Sequence, residues 1–436
     1  MIKRYLLVLL ALLALLVAQK QLDQTAVTSE LATTAEQGFS AAGLQKIDAL
    51  ITTAIEDQEI AGAVALIARN GGLVYSKAFG MKDRDDHEPM ATDTLFRIAS
   101  MTKPVTSLAV MMLHEEGYFE LTDAVANYIP EFSDPRVLSP GSDGSETVPA
   151  QNDITIHQLL THTSGLSYGF MSNTEARETL ARIYRDAEIP DGFEDTDDVI
   201  ADLSRKLDEL PLLFEPGTGY AYGLSTDVLG HLVEVISGQT LAEFFDERIF
   251  GPLKMYESAF YIDEEDVDRL AAIYTSAEDG TIREIPEGPI EDGYLDYSVS
   301  YPYTGPRSYY SGGAGLVSTA SDYLRLMQMF LNGGELEGIR LLTPASVELM
   351  TRNNIGKLAA GRGLKFGLGF AVVDDPELRR TYRSRGTYFW GGIFHTRFFV
   401  DPSEQLIGIF MAQRRPRDSV TIRDRFVEAI YDAIED

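Results

Sequence analysis

Strand-forming segments lie near both ends of this 436-residue chain, and their placement constrains the fold more than any other feature. Residues 61–80, AGAVALIARNGGLVYSKAFG, are two apolar runs joined at Asn70-Gly71, a pair typical of a tight hairpin turn. Near the other end, residues 366–373, 396–400 and 405–412 have the composition of further strands. We therefore expect one mainly antiparallel sheet assembled from both ends of the chain.

Helical periodicity fills the middle of the chain. It is carried by ITIHQLLTH, TEARETLARIYRD, STDVLGHLVEVISG and TLAEFFDERIF, which short loops separate. Further helices are predicted at residues 40–57, with Ser40 as N-cap, and at 419–436. The predicted fold class is α+β: an α/β domain from residues 40–119 and 301–436, with its sheet flanked by helices, and a mainly helical domain at 120–300.

The N-terminal residues have the layout of a secretory signal. Two basic residues precede an apolar run from Tyr5 to Ala18, which is shorter than a membrane-spanning helix needs. We predict a signal peptide at residues 1–18, a polar leader without secondary structure at 19–39, and an exported protein, periplasmic or extracellular. Leu16 departs from the small-residue rule for cleavage, which leaves an uncleaved anchor as the alternative.

The charge of the chain excludes several kinds of partner. With 67 acidic and 37 basic residues the formal net charge is −30, which repels nucleic acid and anionic membranes. We expect no nucleic acid partner and no stable membrane insertion once the signal is removed. The chain has no cysteine and no H-E-x-x-H or G-x-x-x-x-G-K-[ST] pattern, so no metal or organic cofactor is predicted. The sequence carries no prediction of the oligomeric state.

The stretch GLSYG, residues 165–169, fits the G-x-S-x-G pattern of a nucleophile elbow and makes Ser167 a candidate nucleophile. An elbow needs a buried strand before the serine and a helix after it. Here the helical pattern ITIHQLLTHTS precedes Ser167, and the turn-like YGFMSN follows it. This context disfavours Ser167.

Ser100 and Lys103, in FRIASMTKPVTSLAVMMLHEEG, form an S-x-x-K pattern at the start of an apolar helix. A spacing of three puts both side chains on the same side of one helical turn. The helix N-terminus favours negative charge on the serine oxygen, and an amine beside it can take the serine proton. The alternative, a surface lysine on a capped helix, is weakened because this helix is apolar on nearly all sides.

These residues resemble the serine β-lactamase and penicillin-binding-protein superfamily, most closely class C β-lactamases and family VIII carboxylesterases. Beyond the Ser100 segment, the match rests on ITIHQLLTHTSGL, FEPGTGYAYGLSTDVLGHLVEVISG, YYSGGAGLVSTASDYLRLMQMFLNGG and YFWGGIFHTRFFVDP. The resemblance spans about residues 40–430. It implies a β-lactamase/transpeptidase-like fold in which GLSYG is a structural turn.

The resemblance also implies roles for individual residues. Ser100 would be the nucleophile and Lys103 its activating partner. Tyr222 would be the tyrosine that shares the proton with Lys103, and which of the two takes it stays open. The backbone N–H groups of Ser100 and Ile393 would form the oxyanion hole.

Two departures from the class C pattern bear on the substrate. Leu224 stands where those enzymes have an asparagine, and Trp390-Gly391-Gly392 stands where they have Lys-Thr-Gly on the edge strand. We expect Leu224, Trp390, Gly391 and Gly392 at the substrate site, where the loss of a cation favours neutral, apolar esters. Arg397 is the residue that could restore a binding site for an anionic group of the substrate. The tyrosine-rich residues 274–310 are predicted to form a pocket wall, with a solvated loop as the alternative.

The sequence therefore predicts a secreted serine carboxylesterase that acts on small to medium acyl esters through an acyl-enzyme. A β-lactamase or D-Ala carboxypeptidase with the same nucleophile is the first alternative. A non-catalytic cell-wall-binding relative and a hydrolase that uses Ser167 are the others.

Overall fold

The computed structural model describes residues 28–31, 36–139, 146–171, 174–292, 295–415 and 421–435. The predicted signal peptide, residues 1–18, lies outside the described residues, as does part of the predicted leader. Within that leader Thr28–Leu31 forms a strand, so the prediction of no secondary structure at 19–39 is wrong there. Strand addition at a sheet edge uses backbone groups, which side-chain composition does not reveal.

Twenty strands are described. They are β1 (Thr28–Leu31), β2 (Gly62–Arg69), β3 (Gly72–Asp83), β4 (Glu88–Pro89), β5 (Phe96–Arg97), β6 (Arg136–Leu138), β7 (Thr147–Pro149), β8 (Tyr274–Ser276), β9 (Ile282–Glu284), β10 (Pro289–Asp292), β11 (Leu295–Ser298), β12 (Val317–Ser318), β13 (Glu335–Leu336), β14 (Ile339–Arg340), β15 (Leu364–Phe366), β16 (Ala371–Val373), β17 (Tyr388–Gly391), β18 (Arg397–Asp401), β19 (Leu406–Met411) and β20 (Arg414–Arg415).

Nine of these strands form one sheet. Eight follow the order β1-β3-β2-β19-β18-β17-β16-β15, and β4 pairs with β3. All pairings are antiparallel except that of β1 with β3. The pairing of β19 with β2 joins the two ends of the chain in mid-sheet, which confirms the predicted mainly antiparallel sheet. The predicted hairpin is also present, and Asn70 and Gly71 have the positive φ values, 53° and 77°, that its turn requires.

Twelve α-helices are described. They are α1 (Ala41–Glu56), α2 (Lys103–Glu115), α3 (Ile156–Leu160), α4 (Glu175–Asp186), α5 (Ile200–Asp208), α6 (Ser225–Ser237), α7 (Leu241–Phe245), α8 (Gly251–Leu253), α9 (Ala320–Leu331), α10 (Pro344–Met350), α11 (Pro376–Arg379) and α12 (Ile422–Asp432).

Helices cover both faces of the sheet. On one face, alternate residues of β2 such as Ala65 and Ile67 pack with Ile47 of α1 and Phe426 of α12. The intervening residues, such as Leu66, belong to the large core shared with the middle of the chain. Because both faces are buried, β2 is a continuous apolar run and not an alternating one.

The middle of the chain contains six of the described helices, α3 to α8, and the short strands β6 to β11, while a mainly helical domain with limits at 120 and 300 stays a prediction. Residues 274–298 differ, because their described part forms β8 to β11. Strand β8 pairs in parallel with β20, so this segment contacts the C-terminal part of the chain. In the described part of the protein, no helix has both the length and the apolar character required to cross a membrane.

Helix α2 carries the S-x-x-K pattern into the interior. All residues from Lys103 to Leu113 are buried, and the helix packs against α6. The turn before it is tied to α9 by Tyr323, whose hydroxyl donates to the carbonyl of Met101 at 2.8 Å. The start of α2 is therefore fixed between the sheet and the helices.

Candidate active site

Ser100 lies on a short 3₁₀ turn, Ala99–Thr102, that leads directly into α2. Ala99 has a φ of 46°, a left-handed value that costs a non-glycine residue about 1–3 kcal/mol. Thr102 holds the turn, because its Oγ1 donates to the carbonyl of Ala99 at 2.7 Å. The other three residues of the turn are buried, whereas Ser100 is partly exposed. The turn thus presents the Ser100 hydroxyl at a surface.

Lys103 is completely buried and its ammonium has three acceptors. Nζ donates to the hydroxyl of Tyr168 at 2.8 Å, to the carbonyl of Gly313 at 2.8 Å and to Oγ of Ser100 at 3.4 Å. A protonated amine has three N–H groups to donate. The surroundings of Lys103 therefore match its charged form.

Tyr222 makes the shorter contact with the nucleophile. Its hydroxyl donates to Oγ of Ser100 at 2.6 Å and accepts from Nε1 of Trp390 at 3.3 Å. Nζ of Lys103 lies 4.6 Å from the centre of the Tyr222 ring. The structure thus brings together Ser100, Lys103 and Tyr222, the three residues predicted to be catalytic.

Tyr168 is a site residue that sequence reasoning missed. It belongs to GLSYG. Its hydroxyl accepts a hydrogen bond from Nζ of Lys103, and its ring lies 5.4 Å from that of Tyr222. Neighbouring Ser167 is 1% exposed, and among the described residues its Oγ has no hydrogen-bond partner. Gly223 permits this packing, since a Cβ there would lie 2.4 Å from the α-carbon of Ser167. GLSYG therefore supplies a tyrosine to the site, and its serine is shielded from substrate.

His162 completes the aromatic surroundings of Tyr222. The two rings lie 4.9 Å apart in an edge arrangement. Burial, with a further contribution from Lys103, holds the pKa of His162 well below its usual value. His162 is therefore a neutral packing residue.

The end of β17 approaches the nucleophile turn through glycine. A Cβ on Gly392 would lie 2.5 Å from the carbonyl oxygen of Ile98, and one on Gly391 would lie 2.8 Å from that of Thr396. Backbone can come this close only where no side chain intervenes. Ile393, the next residue, lines the same cleft as Ser100, as the predicted oxyanion hole requires. Strand β17 lies between β18 and β16 in the sheet, and its pairing with β16 stops at Phe389.

The cleft at Ser100 has a volume of about 320 Å³. The described residues that line it are mainly apolar, with two guanidinium groups and no carboxylate among them. The lining residues are Ser100, Phe170, Met171, Tyr222, Phe389, Trp390, Gly391, Gly392, Ile393, Arg397 and Arg423. Trp390, Gly391 and Gly392 are therefore at the cleft, as predicted.

The two arginines that line the cleft, Arg397 and Arg423, lie near each other although both are largely buried. Burial lowers the pKa of Arg397, which Asp424 opposes through an ion pair. Burial and the charge of Arg397 lower the pKa of Arg423 to about 10. Arg423 is held by the carbonyls of Gly392 and Thr396, both at 3.2 Å. At neutral pH the cleft thus carries positive charge.

Two predictions from the sequence place residues at the cleft that the structure places elsewhere. Leu224 is 1% exposed, belongs to the large core and does not line the cleft, because it immediately precedes α6 and packs inward with it. The described part of residues 274–310 does not line it either. Instead Tyr297 and Tyr301 form a hydrophobic cluster with Phe394, against which Ile393 packs, so this segment supports the cleft from behind.

Known proteins resemble this chain over most of its length. Residues 47–432 match the family model described as beta-lactamase. Esterase EstB from Burkholderia gladioli is 36% identical over 362 residues, which are 82% of this chain and 86% of that esterase. Lovastatin esterase from Penicillium rubens is 29% identical over 392 residues, 83% of this chain and 91% of that protein. The solved structure of EstCE1, a hydrolase with promiscuous acyltransferase activity, is 30% identical with a TM-score of 0.77, and the match covers 90% of this chain and 100% of that one.

Proposed function

This chain belongs to the β-lactamase family, and we propose that it is a serine ester hydrolase that acts through a covalent acyl-enzyme. The observation that carries the proposal is the position of Ser100 at an apolar cleft, with the Tyr222 hydroxyl 2.6 Å and the Lys103 amine 3.4 Å from its Oγ. The names of two relatives, Esterase EstB and lovastatin esterase, support the same reaction class.

In the first half-reaction Tyr222 reacts as the phenolate, after its own proton has left to solvent. Oγ of Ser100 attacks the ester carbonyl while the proton of Ser100 passes to the Tyr222 oxygen. Tyr222 is the better placed acceptor, because it is closer to Oγ and because the three N–H groups of Lys103 all have acceptors. The ammonium beside the ring and the N–H of Trp390 stabilise negative charge on the Tyr222 oxygen. Tyr222 then gives the proton to the departing alcohol.

In the second half-reaction, water attacks the acyl group and releases the acid. Tyr222 accepts the proton of this water and returns it to Oγ of Ser100, which restores the starting state. In both steps the backbone N–H groups of Ser100 and Ile393 bind the oxyanion, the role for which preorganised donors are usually most effective.

The lining of the cleft indicates the substrate class. Phe170, Met171 and Trp390 provide apolar contact for a small to medium acyl group. Arg397 and Arg423 add positive charge at the same cleft, which suits an ester that also carries a negative group. We propose apolar acyl esters as substrates, with neutral and anionic members both accepted.

β-Lactam hydrolysis is less favoured by the same residues. Leu224 and Trp390 replace an amide and a cation of the class C pattern, and Leu224 is buried away from the cleft. We expect nitrocefin to be hydrolysed far more slowly than a short-chain p-nitrophenyl ester. Comparable rates for the two substrates would assign the chain to lactam hydrolysis instead.

An activated-serine probe tests the nucleophile and the reaction class together. We expect a fluorophosphonate to label Ser100 in the purified protein, with peptide mapping to locate the adduct. Ser100→Ala should abolish labelling and lower ester hydrolysis by several orders of magnitude, the usual effect of nucleophile loss. Ser167→Ala is the matched control and should keep both. If the protein hydrolyses neither esters nor lactams and the probe does not label it, a non-catalytic relative is favoured.

We also propose that the protein is exported, on the basis of the apolar run from Tyr5 to Ala18. Fractionation of expressing cells should find the enzyme in the periplasm or medium, with its N-terminus at residue 19 or later. Recovery of the full-length chain from the membrane fraction would point to the uncleaved anchor.

A further inference from the structure

Asp227 is a buried carboxylate to which the proposed mechanism gives no role. It lies in the first turn of α6 and is 1% exposed. Its Oδ1 accepts from Oγ of Ser311 at 2.6 Å and from the N–H of Gly313 at 3.2 Å. Its Oδ2 is buried without a hydrogen-bond partner among the described residues. A carboxylate in this setting needs compensating charge.

Gly313 connects Asp227 to Lys103. The N–H of Gly313 donates to Asp227, and its carbonyl accepts from Nζ of Lys103 at 2.8 Å. A Cβ at this position would lie 2.4 Å from Oδ2 of Asp227 and 2.9 Å from the Tyr168 hydroxyl. The carboxylate, the tyrosine that binds the ammonium and the bridging backbone therefore converge on one α-carbon.

Lys103 is the cation that acts on Asp227 in this part of the fold. Burial raises the pKa of Asp227, and the charge of Lys103 is the largest influence that opposes it, ahead of the bonds from Ser311 and Gly313. Among the described residues, Asp227 also acts on the phenols Tyr168 and Tyr309 and on the acid Asp191. His162, on which the charge of Lys103 acts, is kept neutral by its burial. None of these can supply positive charge.

We infer that Asp227 is the counter-charge and positioning residue of Lys103. The inference rests on the proposed function. Its negative charge stabilises the ammonium of Lys103, and its bond to Gly313 places the carbonyl that, with Tyr168, fixes the direction of that ammonium. Because Lys103 then donates all three N–H groups, the proton of Ser100 goes to Tyr222.

Asp227→Asn is the test, since it removes the charge and keeps the shape. We expect kcat/KM for a p-nitrophenyl ester to fall about ten- to a hundredfold, as loss of a charge partner predicts. KM should change little, because Asp227 does not line the cleft. The alkaline limb of the pH profile should move to lower pH, because a cation beside a neutral amide is less stabilised than one beside a carboxylate. An unchanged profile would overturn the inference.

Asp322→Asn is the matched control. Asp322 also lies in the first turn of a buried helix, and its carboxylate accepts from the N–H of Glu257 at 2.8 Å and the hydroxyl of Ser258 at 2.9 Å. It lacks the connection to Lys103 through Gly313. The control should lose comparable stability but keep the pH profile. Equal shifts in both variants would mean that Asp227 has only a structural role.

Ser311→Ala decides the question if Asp227→Asn does not fold. The Ser311 hydroxyl helps to lower the pKa of Asp227, so without it the carboxylate takes up its proton at a higher pH. The acid limb of activity should move upward accordingly, and an unmoved limb would overturn the inference. Probe labelling of Ser100 in the unaltered enzyme is independent of both variants, so its failure would identify a fault in the proposed function itself.

Discussion

Tyr222→Phe separates the two candidates for the proton acceptor of Ser100. The change removes one oxygen, which lies 2.6 Å from Oγ of Ser100 and 3.3 Å from Nε1 of Trp390. The ring keeps its packing on His162 and Tyr168, at 4.9 and 5.4 Å, so we expect the fold to be retained. General base catalysis contributes about 10²- to 10⁴-fold, and kcat should fall by that amount.

Tyr168→Phe is the control, because it removes a phenol oxygen from the same cluster that contacts Lys103 and not Ser100. One lost hydrogen bond to a charged group is worth about 1.5–3 kcal/mol, or roughly ten- to a hundredfold in rate if all of it is lost in the transition state. Since the ammonium keeps two acceptors, we expect the lower end of that range.

Steady-state hydrolysis of a p-nitrophenyl ester, with thermal unfolding of each variant as a check on folding, measures both effects. If Tyr222→Phe keeps its kcat within tenfold of the unaltered enzyme, Tyr222 is not the acceptor and Lys103 takes the proton. If Tyr168→Phe lowers kcat more than Tyr222→Phe does, the roles assigned to the two tyrosines are wrong.

Two other changes test the cleft and the surface. Gly392→Ala should lower kcat about 10²- to 10³-fold, the cost of one oxyanion donor, because its Cβ would displace Ile393 from the Ser100 turn. Gly361→Ala is the control. Its Cβ would make an ordinary 3.4 Å contact, so kcat should be unchanged. Burial and neighbouring acids raise the pKa of Glu284 to about 7, so the folded state binds this proton more tightly and loses stability as pH rises from about 4.5 to 7. Glu284→Gln should therefore raise Tm at pH 8 relative to the unaltered protein and not at pH 5, and an equal effect at both pH values would contradict this.

Much of the fold follows from local patterns. The Asn70-Gly71 turn and the apolar runs beside it predict the central hairpin, because hairpin geometry depends on a few adjacent residues. The leader strand Thr28–Leu31 was not predictable in this way, because it pairs through backbone groups at a free edge. The strands within residues 274–298 depend on partners far away in sequence, such as β20.

The same distinction between local patterns and distant partners applies to the active site. The sequence alone determined that Ser100 and Lys103 meet, because residues three apart on one turn lie side by side in any helix. Only the tertiary structure decided what surrounds that lysine: Tyr168 comes from 65 positions away, Gly313 from 210, and Asp227 reaches it through Gly313. Contacts of this kind form where separate chain segments cross in a packed core. The distances between such residues depend on packing, so they cannot be inferred from the spacing of residues in the sequence.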